Sequence, residues 1–393
     1  MTFRLAASLF TLILVATLLA ACWDKTELNK LALVSMIGID IEPESGQKMI
    51  YFQVINPLGS ISARAMGNRQ APVYTYEIRG TTYGEILSTI YKLLARKLFV
   101  AHAKIVLVSE RAAKQGLREL VNFIDMQPYA RTSIPILIVE EPLPDIMEHF
   151  TPLEEVPAES IDTRLKLLLR NSLLVGEQVN VNHFIERMEQ SNTIVLPMIA
   201  KPTEVPSSKS EGTSLDINAN KHNFIIEGGA IFQDYRMVGK LHGEQLVWYH
   251  LLNGSRGQHV RKFKMDITQI TLGIKLLRIQ RQVKLQSGKP VVEFKLDIAI
   301  STAPANEYLP KNRNELESLE NKLDQYLENK FLAFYQMSRE QGWDLLGIRN
   351  MLRKQMPDLP NPGQAATNAK VTFVVNTQLM GMGSTNQLYE GAK

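Results

Sequence analysis

Val292-Glu293-Phe294-Lys295-Leu296-Asp297-Ile298-Ala299-Ile300 places apolar side chains at every second position, with charged residues between most of them. Successive side chains of a strand point to opposite faces, so this stretch reads as a strand with one face buried and the other wet. A turn at Ser287-Gly288 precedes it, and before that turn the apolar set is Ile270, Leu272, Ile274 and Leu276, then shifts phase to Leu277, Ile279, Val283 and Leu285. One residue of slip would turn the buried set outward, so a β-bulge is predicted at Leu276-Leu277. Downstream, Leu316, Leu319, Leu323, Leu327, Phe331 and Phe334 recur at intervals of three and four, the stripe of a long amphipathic helix expected to lie across the sheet. A shorter helix around Leu345 to Lys354 stops at Met356-Pro357, and Val371 to Leu379 supplies a last strand. The C-terminal part is thus expected to be an antiparallel sheet covered by a long amphipathic helix.

Working back from this unit, Pro202 to Lys221 is dominated by Ser, Thr, Asn, Glu and Lys and reads as a linker or long exposed loop. Upstream of it, Leu31 to Ile41 and Met49 to Ile55 flank Glu42-Pro43-Glu44-Ser45-Gly46, turn chemistry that predicts antiparallel strands. Val73 to Arg79 is a further strand. Thr82 and Glu85 have capping-box spacing, and Ile86, Ile90, Leu93, Leu94 and Leu98 then predict a helix over about Tyr83 to Leu98. Ile105 to Val108 is strand, Ser109 caps a helix over Glu110 to Gln115, Leu117 to Asp125 is helix and Ile134 to Val139 is strand. After the prolines of 142–157, helical patterns resume at Ile161 to Leu169 and Asn182 to Met188. Hairpins, rather than a regular β-α-β repeat, are expected. The fold class is therefore α+β and multi-domain, with mixed or antiparallel sheets and packed helices. The expected divisions are 22–202, with a subdomain boundary near 140–157, a connection at 203–221, and 222–393.

The formal charge of +4 is too small to point to nucleic acid. It conceals an asymmetry: Glu140 to Asp162 holds eight carboxylates, and Arg256 to Lys289 holds nine Lys and Arg against Asp266 alone. Each reads either as a solvated face or as a docking surface for a partner or anionic headgroups. No nucleophile elbow, His-Glu-x-x-His, Walker loop or Gly-rich strand-to-helix fingerprint occurs. His242, His250 and His259 lack the spacing that puts two imidazoles on one helix face, and Glu140-Glu141 and Glu154-Glu155 are adjacent pairs without the separation of a glycosidase dyad. No catalytic residue, cofactor or metal is expected.

Leu19-Ala20-Ala21-Cys22 ends an apolar run of 17 residues that begins at Leu5 after Arg4. Cys22 is the single cysteine in the chain, so neither an intramolecular disulfide nor a zinc site of several thiolates can form. The run is just short of the roughly 20 residues that span a bilayer, and a plain membrane anchor is the competing reading. Small residues before a cysteine and Trp23-Asp24 after it read instead as a bacterial lipoprotein signal over 1–21, with Cys22 as the acceptor of an S-diacylglyceryl group and, once freed, of an N-acyl chain. Either way the rest of the chain lies outside the cytoplasmic membrane, tethered at its N-terminus. Two chains hold far better than one, since each buried methylene contributes about 0.8 kcal/mol. Trp23 could lie at headgroup depth or pack into the folded body.

Cys22-Trp23-Asp24-Lys25-Thr26-Glu27-Leu28-Asn29, with Leu31-Ala32-Leu33-Val34 and Gly38-Ile39-Asp40, resembles the C-subunit lipoproteins of spore germinant receptors, the Ger(x)C family. Further likenesses are Gly80-Thr81-Thr82, then Arg96, Phe99 and His102, then Glu110 to Gly116, and Arg131. In the second half they are Gly228-Gly229-Ala230-Ile231-Phe232, Val238-Gly239-Lys240-Leu241 and Asp344-Leu345-Leu346-Gly347. Ala21 stands where the family commonly has glycine, and Asp358 to Gly363 lacks the expected aromatic. The resemblance implies a non-enzymatic α+β lipoprotein on the extracytoplasmic face of the spore inner membrane. It also implies polytopic A and transporter-like B subunits as partners in nutrient-triggered germination. Of functional residues it carries over only the acylated Cys22. Two rival readings are a solute-binding lipoprotein feeding a transporter, which would need two similar lobes around a cleft, and an envelope enzyme with an unrecognised site.

Overall fold

The computed structural model describes residues 27–57, 71–126, 131–140, 142–149, 154–176, 179–190, 193–200, 224–265, 268–287, 289–302 and 312–380. In chain order the first part comprises β1 (Leu31–Ile41), β2 (Lys48–Ile55), β3 (Val73–Gly80), α1 (Tyr83–Leu93), β4 (Lys97–Phe99), β5 (Ile105–Ser109), α2 (Glu110–Gln115), α3 (Arg118–Asp125) and β6 (Ile136–Val139). It continues with α4 (Leu143–Met147), α5 (Pro157–Asn171), α6 (Val181–Gln190), β7 (Thr193–Ala200), β8 (Ile225–Gln233) and β9 (Arg236–Leu241). These strands form one sheet in the order β3-β2-β1-β5-β6-β7-β8-β9, with β4 also paired to β1. β1 and β2 pair antiparallel, as their turn chemistry predicts. The centre differs from the expected hairpins: β1, β5, β6 and β7 run parallel, joined by crossings through α2–α3 and α4–α6. A parallel centre is buried on both faces, which is why Ile136–Val139 is apolar at every position. Alternate residues feed two cores: Val106 and Val108 join the side covered by α1, α2, α3 and α6, whereas Ile105 and Leu107 join the side covered by α4 and α5.

Local chemistry sets the element ends. Thr82 accepts from the Glu85 amide at 3.2 Å, and the Glu85 carboxylate reaches back to the Thr81 amide and hydroxyl, both at 2.8 Å, so α1 starts where the capping spacing predicts. It ends earlier than the stripe to Leu98 implies. Leu94 is already extended, and Leu98 is buried in β4 opposite Ala32. A strand buries that leucine as well as a helix would, and pairing with β1 decides between them. Ser109 caps α2 by accepting from the Ala112 amide at 3.1 Å, as expected.

The second sheet has the order β10-β11-β12-β13, with α7 (Gly243–Leu252) before β10 (Gln258–Met265), β11 (Thr268–Gln286) and β12 (Lys289–Thr302). α8 (Arg313–Glu340), α9 (Ile348–Gln355), α10 (Pro362–Asn368) and β13 (Lys370–Leu379) complete it. The register of β11 against β12 shifts between Leu276 and Arg278, the predicted bulge, and keeps Leu276 buried while Leu277 turns outward. Leu319, Leu323, Leu327, Phe331 and Phe334 of α8 are buried against Phe294, Leu296 and Phe373 of the sheet. One strand departs from the antiparallel expectation. β13 pairs parallel to β12, because the chain returns through α8 in a β-α-β crossing.

α8 also closes the edge of this sheet. Glu328, Asp324 and Glu320 accept from the amides of Val375, Thr377 and Leu379 at 3.0, 2.8 and 2.9 Å. Four residues of helix rise about 6 Å and two residues of strand about 6.6 Å, so an i, i+4 row of carboxylates matches alternate outward amides of an edge strand. That arrangement blocks the free edge against pairing with another chain.

Sheet membership crosses the expected connection at 203–221, itself outside the described residues. β8 and β9 follow it yet pair onto β7, so the change from first to second sheet falls between Leu241 and Gln258. α7 occupies that interval, and Leu246 through Leu252 are all buried, including the polar tip of His250. A helix that is apolar all round is one enclosed on every side. Val195, Ile231 and Leu241 of the first sheet share a single core with α7, α8 and the second sheet.

Candidate functional site

The predicted lipid acceptor Cys22, with Trp23, lies outside the described residues. The motifs of the second half, by contrast, meet at one place: the seam around α7. Gly229 in β8 stands where a Cβ would come within 2.7 Å of Leu246 Cδ1 and collide with Val195, so the bare backbone lets α7 close on the sheet. Gly239 in β9 receives the indole of Trp343, whose Cη2 would be 2.7 Å from an added Cβ. Trp343 sits in the turn between α8 and α9. Gln233 donates to the Gly342 carbonyl at 2.9 Å, and Asn253 donates to the Leu345 carbonyl at 3.1 Å, which ties that turn to both β8 and α7. Asp344 accepts from the amides of Ile348 at 2.7 Å and Arg349 at 3.0 Å, which explains why α9 begins three residues later than its apolar pattern.

Lys240, next to Gly239, donates to Glu110 at 2.8 Å and Glu140 at 2.7 Å. Burial pulls its pKa down, but the two carboxylate hydrogen bonds outweigh burial and hold it above the ordinary lysine value. One cation thereby joins β9, α2 and the end of β6. Other members of the acidic stretch are also met from within: Glu159 pairs with Lys104 at 3.4 Å and Asp162 with Lys166 at 2.5 Å. In the basic stretch, Lys284 pairs with Glu293 at 3.0 Å and Arg281 donates to the Leu252 carbonyl at 2.8 Å. Glu141 lies outside the described residues. At the other end of the family resemblance, Asp40 is buried at the end of β1. It accepts from the Ile41 amide at 2.7 Å, from the Ser109 hydroxyl and from Arg111 Nη2 at 2.6 Å. Gly38-Ile39-Asp40 therefore locks β1 to β5 and α2.

A cavity of about 240 Å³ opens in the seam, lined by His183 and Arg187 of α6, Tyr249, His250 and Asn253 from α7 and its end, and Arg281 of β11 among others. Burial pushes the His250 imidazole down to about 3, against a hydrogen bond to the Leu174 backbone that works upward, so it is neutral at physiological pH. His259 lies in β10, where burial lowers its pKa too, and His242 lies beside Gly228 at the start of α7. Among the described residues no three His, Cys, Asp or Glu side chains are gathered as metal ligands. The chemistry of the seam is that of a packed joint whose polar groups are fixed by hydrogen bonds.

Sequence reasoning found the glycine motifs but not their purpose, because a close approach is visible only once the approaching side chain is placed. It missed the ladder of Glu320, Asp324 and Glu328, although three carboxylates at i, i+4 spacing beside an apolar stripe were a usable signal.

Residues 24–201 match the spore germination protein N-terminal domain, and residues 227–383 match the spore germination B3/GerAC like C-terminal domain. The chain belongs to the Ger(x)C family of spore germination proteins. It is 23% identical over 366 residues to spore germination protein KC of Bacillus subtilis (strain 168), covering 88% of this chain and 87% of that one. It is 24% identical over 227 residues to the putative spore germination protein YfkR of the same organism, covering 58% and 55%. The crystal structure of the GerBC protein superposes with a TM-score of 0.54 at 13% identity, over 88% of this chain and 97% of that one, which establishes the shared fold. Both family domains meet in one continuous structure, because β8 and β9, within the match to the C-terminal domain, complete the sheet of the N-terminal one.

Proposed function

We propose that this Ger(x)C chain is the lipid-anchored C subunit of a nutrient germinant receptor. In this reading Cys22 carries the S-diacylglyceryl and N-acyl groups after removal of residues 1–21. The folded body stands on the extracytoplasmic face of the spore inner membrane and acts non-enzymatically with membrane-embedded A and B subunits. The observation that carries the reading is the match of both halves to spore germination domains, at 24–201 and 227–383. Two features agree with it. Among the described residues no helix is long and apolar enough to cross a membrane, and the apolar run of 5–21 with Cys22 precedes them. The two sheets also differ in size and topology, which disfavours a pair of equivalent lobes of the kind that captures a solute for a transporter.

The test is Cys22→Ala in the native spore. The variant is expected to lose its acyl mass, to leave the inner-membrane fraction and to weaken germination through this receptor. An unchanged nutrient response with normal membrane retention would overturn the reading. Co-purification of polytopic subunits with the wild-type chain, cross-linked through its basic stretch Arg256 to Lys289, tests the partnership separately.

A further inference from the structure

The last residues of α1 and the turn that joins it to β4, together 91–97, carry a surface that the seam does not use. Leu31 at the start of β1 pairs with Lys97, so this turn stands beside the point where the chain enters the fold. Tyr91 and Leu93 are 56% and 58% exposed, and Lys92, Ala95, Arg96 and Lys97 around them are exposed as well. Cations at a helix C-terminus have an ordinary explanation in the helix dipole, but large apolar side chains held in water beside them do not. Tyr74 is also exposed, on the face of β3 from which Tyr76 and Ile78 enter the core under α1. From Ile86 to Ser109 the chain contains no Asp or Glu. Of the carboxylates near this end, Glu27 pairs with Lys30 at 3.5 Å and Glu159 with Lys104 at 3.4 Å, so Lys92, Arg96 and Lys97 keep the surface positive.

Aromatic and aliphatic tips set among cations are the chemistry of a membrane interface, where rings lie at headgroup depth and cations meet lipid phosphates. Geometry supplies the second argument. The five steps from Cys22 to Glu27 span at most about 18 Å when fully extended, and the 3-10 turn Leu28–Lys30 adds about 6 Å before β1 begins. An acylated Cys22 therefore keeps the start of β1, and the turn beside it, within reach of the headgroup layer.

We infer that the α1–β4 turn docks on an anionic lipid surface, with Tyr91 and Leu93 entering the interface and Lys92, Arg96 and Lys97 against the phosphates. The inference rests on the lipid-anchor reading of Cys22. Its consequence is orientation: the start of β1 faces the bilayer and the β1–β2 turn points away, some 33 Å further along the strand at about 3.3 Å per residue. The tether and the patch together hold the seam at a fixed height, where a membrane partner can meet it.

The test uses the full acylated chain with Ala95→Cys, and with Ser45→Cys in the β1–β2 turn as the distal control. Because Cys22 is a thioether in the acylated protein, a maleimide fluorophore sensitive to polarity labels only the introduced thiol. The protein is reconstituted in phosphatidylcholine vesicles with and without phosphatidylglycerol. Blue-shifted emission shielded from aqueous iodide is expected at position 95, not at 45, only with the anionic lipid, and is reversed by high salt. Lys92→Glu, Arg96→Glu and Lys97→Glu should lower the ratio of docked to free turn by about fivefold each and about a hundredfold together, while the protein still floats with the vesicles. Tyr91→Ser with Leu93→Ser should abolish the blue shift. Water-like emission at 95 in anionic vesicles overturns the inference, as does equal shielding in uncharged vesicles, or shielding that needs a reconstituted protein partner. Loss of flotation, or labelling of a second thiol at Cys22, would instead strike the anchor reading, and this inference with it.

Discussion

The two sheets bury their apolar surface in different ways. The first is covered on both faces, and its central strands are apolar at nearly every position, as in Ile136–Val139. The second is covered by α7 and α8 on one face, and its strands alternate, as in Val371, Phe373 and Val375 inward against Val374 and Asn376 outward. A sheet with one wet face has an edge problem, and α8 solves it with three carboxylates on β13. The first sheet instead folds its own hairpin, β8–β9, under the second unit. Division of labour follows: the first sheet is a scaffold running from the start of β1 to the seam, and the second is clamped on through α7.

If that contrast is right, the shared core is the most costly place to damage. Phe331 is fully buried between Trp248, at a ring distance of 5.4 Å, and Phe373, at 5.8 Å. Phe331→Ala is expected to cost about 3–5 kcal/mol and to lower a single cooperative urea transition. Two separate transitions, one unchanged, would show that the sheets are energetically independent and break the comparison. Next in size, Gly229→Val forces a side chain against Val195 and Leu246 and should cost about 1–3 kcal/mol by denaturation, whereas the same change at exposed Gly84, where an added Cβ meets nothing within 4 Å, lacks that overpacking cost.

The seam should also respond to acid. His250 is neutral in the fold with its pKa pushed down to about 3, while the unfolded chain binds a proton near the ordinary 6.5. Its contribution is therefore fully present above that unfolded value and is lost as pH falls toward 3, with a slope of about 1.4 kcal/mol per pH unit. Around it, Arg187 and His183 of α6 and Arg281 of β11 line the same cavity. Melting curves of His250→Gln between neutral and acid pH should show the slope reduced by about one proton relative to wild type. An identical slope would remove His250 from the account.

The smallest effect belongs to the edge. Replacing Glu320, Asp324 and Glu328 by Ala one at a time should cost about 1.5 kcal/mol each, the low end for hydrogen bonds to charged groups because all three are partly solvated. Together they should free the β13 edge and produce concentration-dependent association by light scattering. A triple variant that associates no more than the wild type would mean that α8 covers the edge by bulk alone.

How far the sequence could be read followed the same contrast. The bulge at Leu276-Leu277, the α8 stripe and the Thr82 and Ser109 caps were legible because each is set within a few residues by period and local hydrogen bonding. The first sheet was harder. Its parallel centre has no alternation to betray it, and Leu98 fits a helical period while belonging to a strand. Glu110, Glu140 and Lys240 fall in three separate motifs of the sequence, and only folding brings both carboxylates within 2.8 Å of the lysine.

By itself, the sequence determined the α+β class, the elements with short-range signals, and the family resemblance through its Gly-Ile-Asp, Gly-Gly-Ala-Ile-Phe and Val-Gly-Lys-Leu pieces, which the domain matches then established. Tertiary structure alone decided that β8 and β9 complete the first sheet, that β13 runs parallel, and that the glycines at 229 and 239 exist to admit Leu246 and Trp343. The reason is one of range: periodicity and capping act within a turn or two of chain, whereas strand partners and close approaches are chosen between residues far apart in sequence, by which arrangement buries the most apolar surface without leaving a backbone group unpaired.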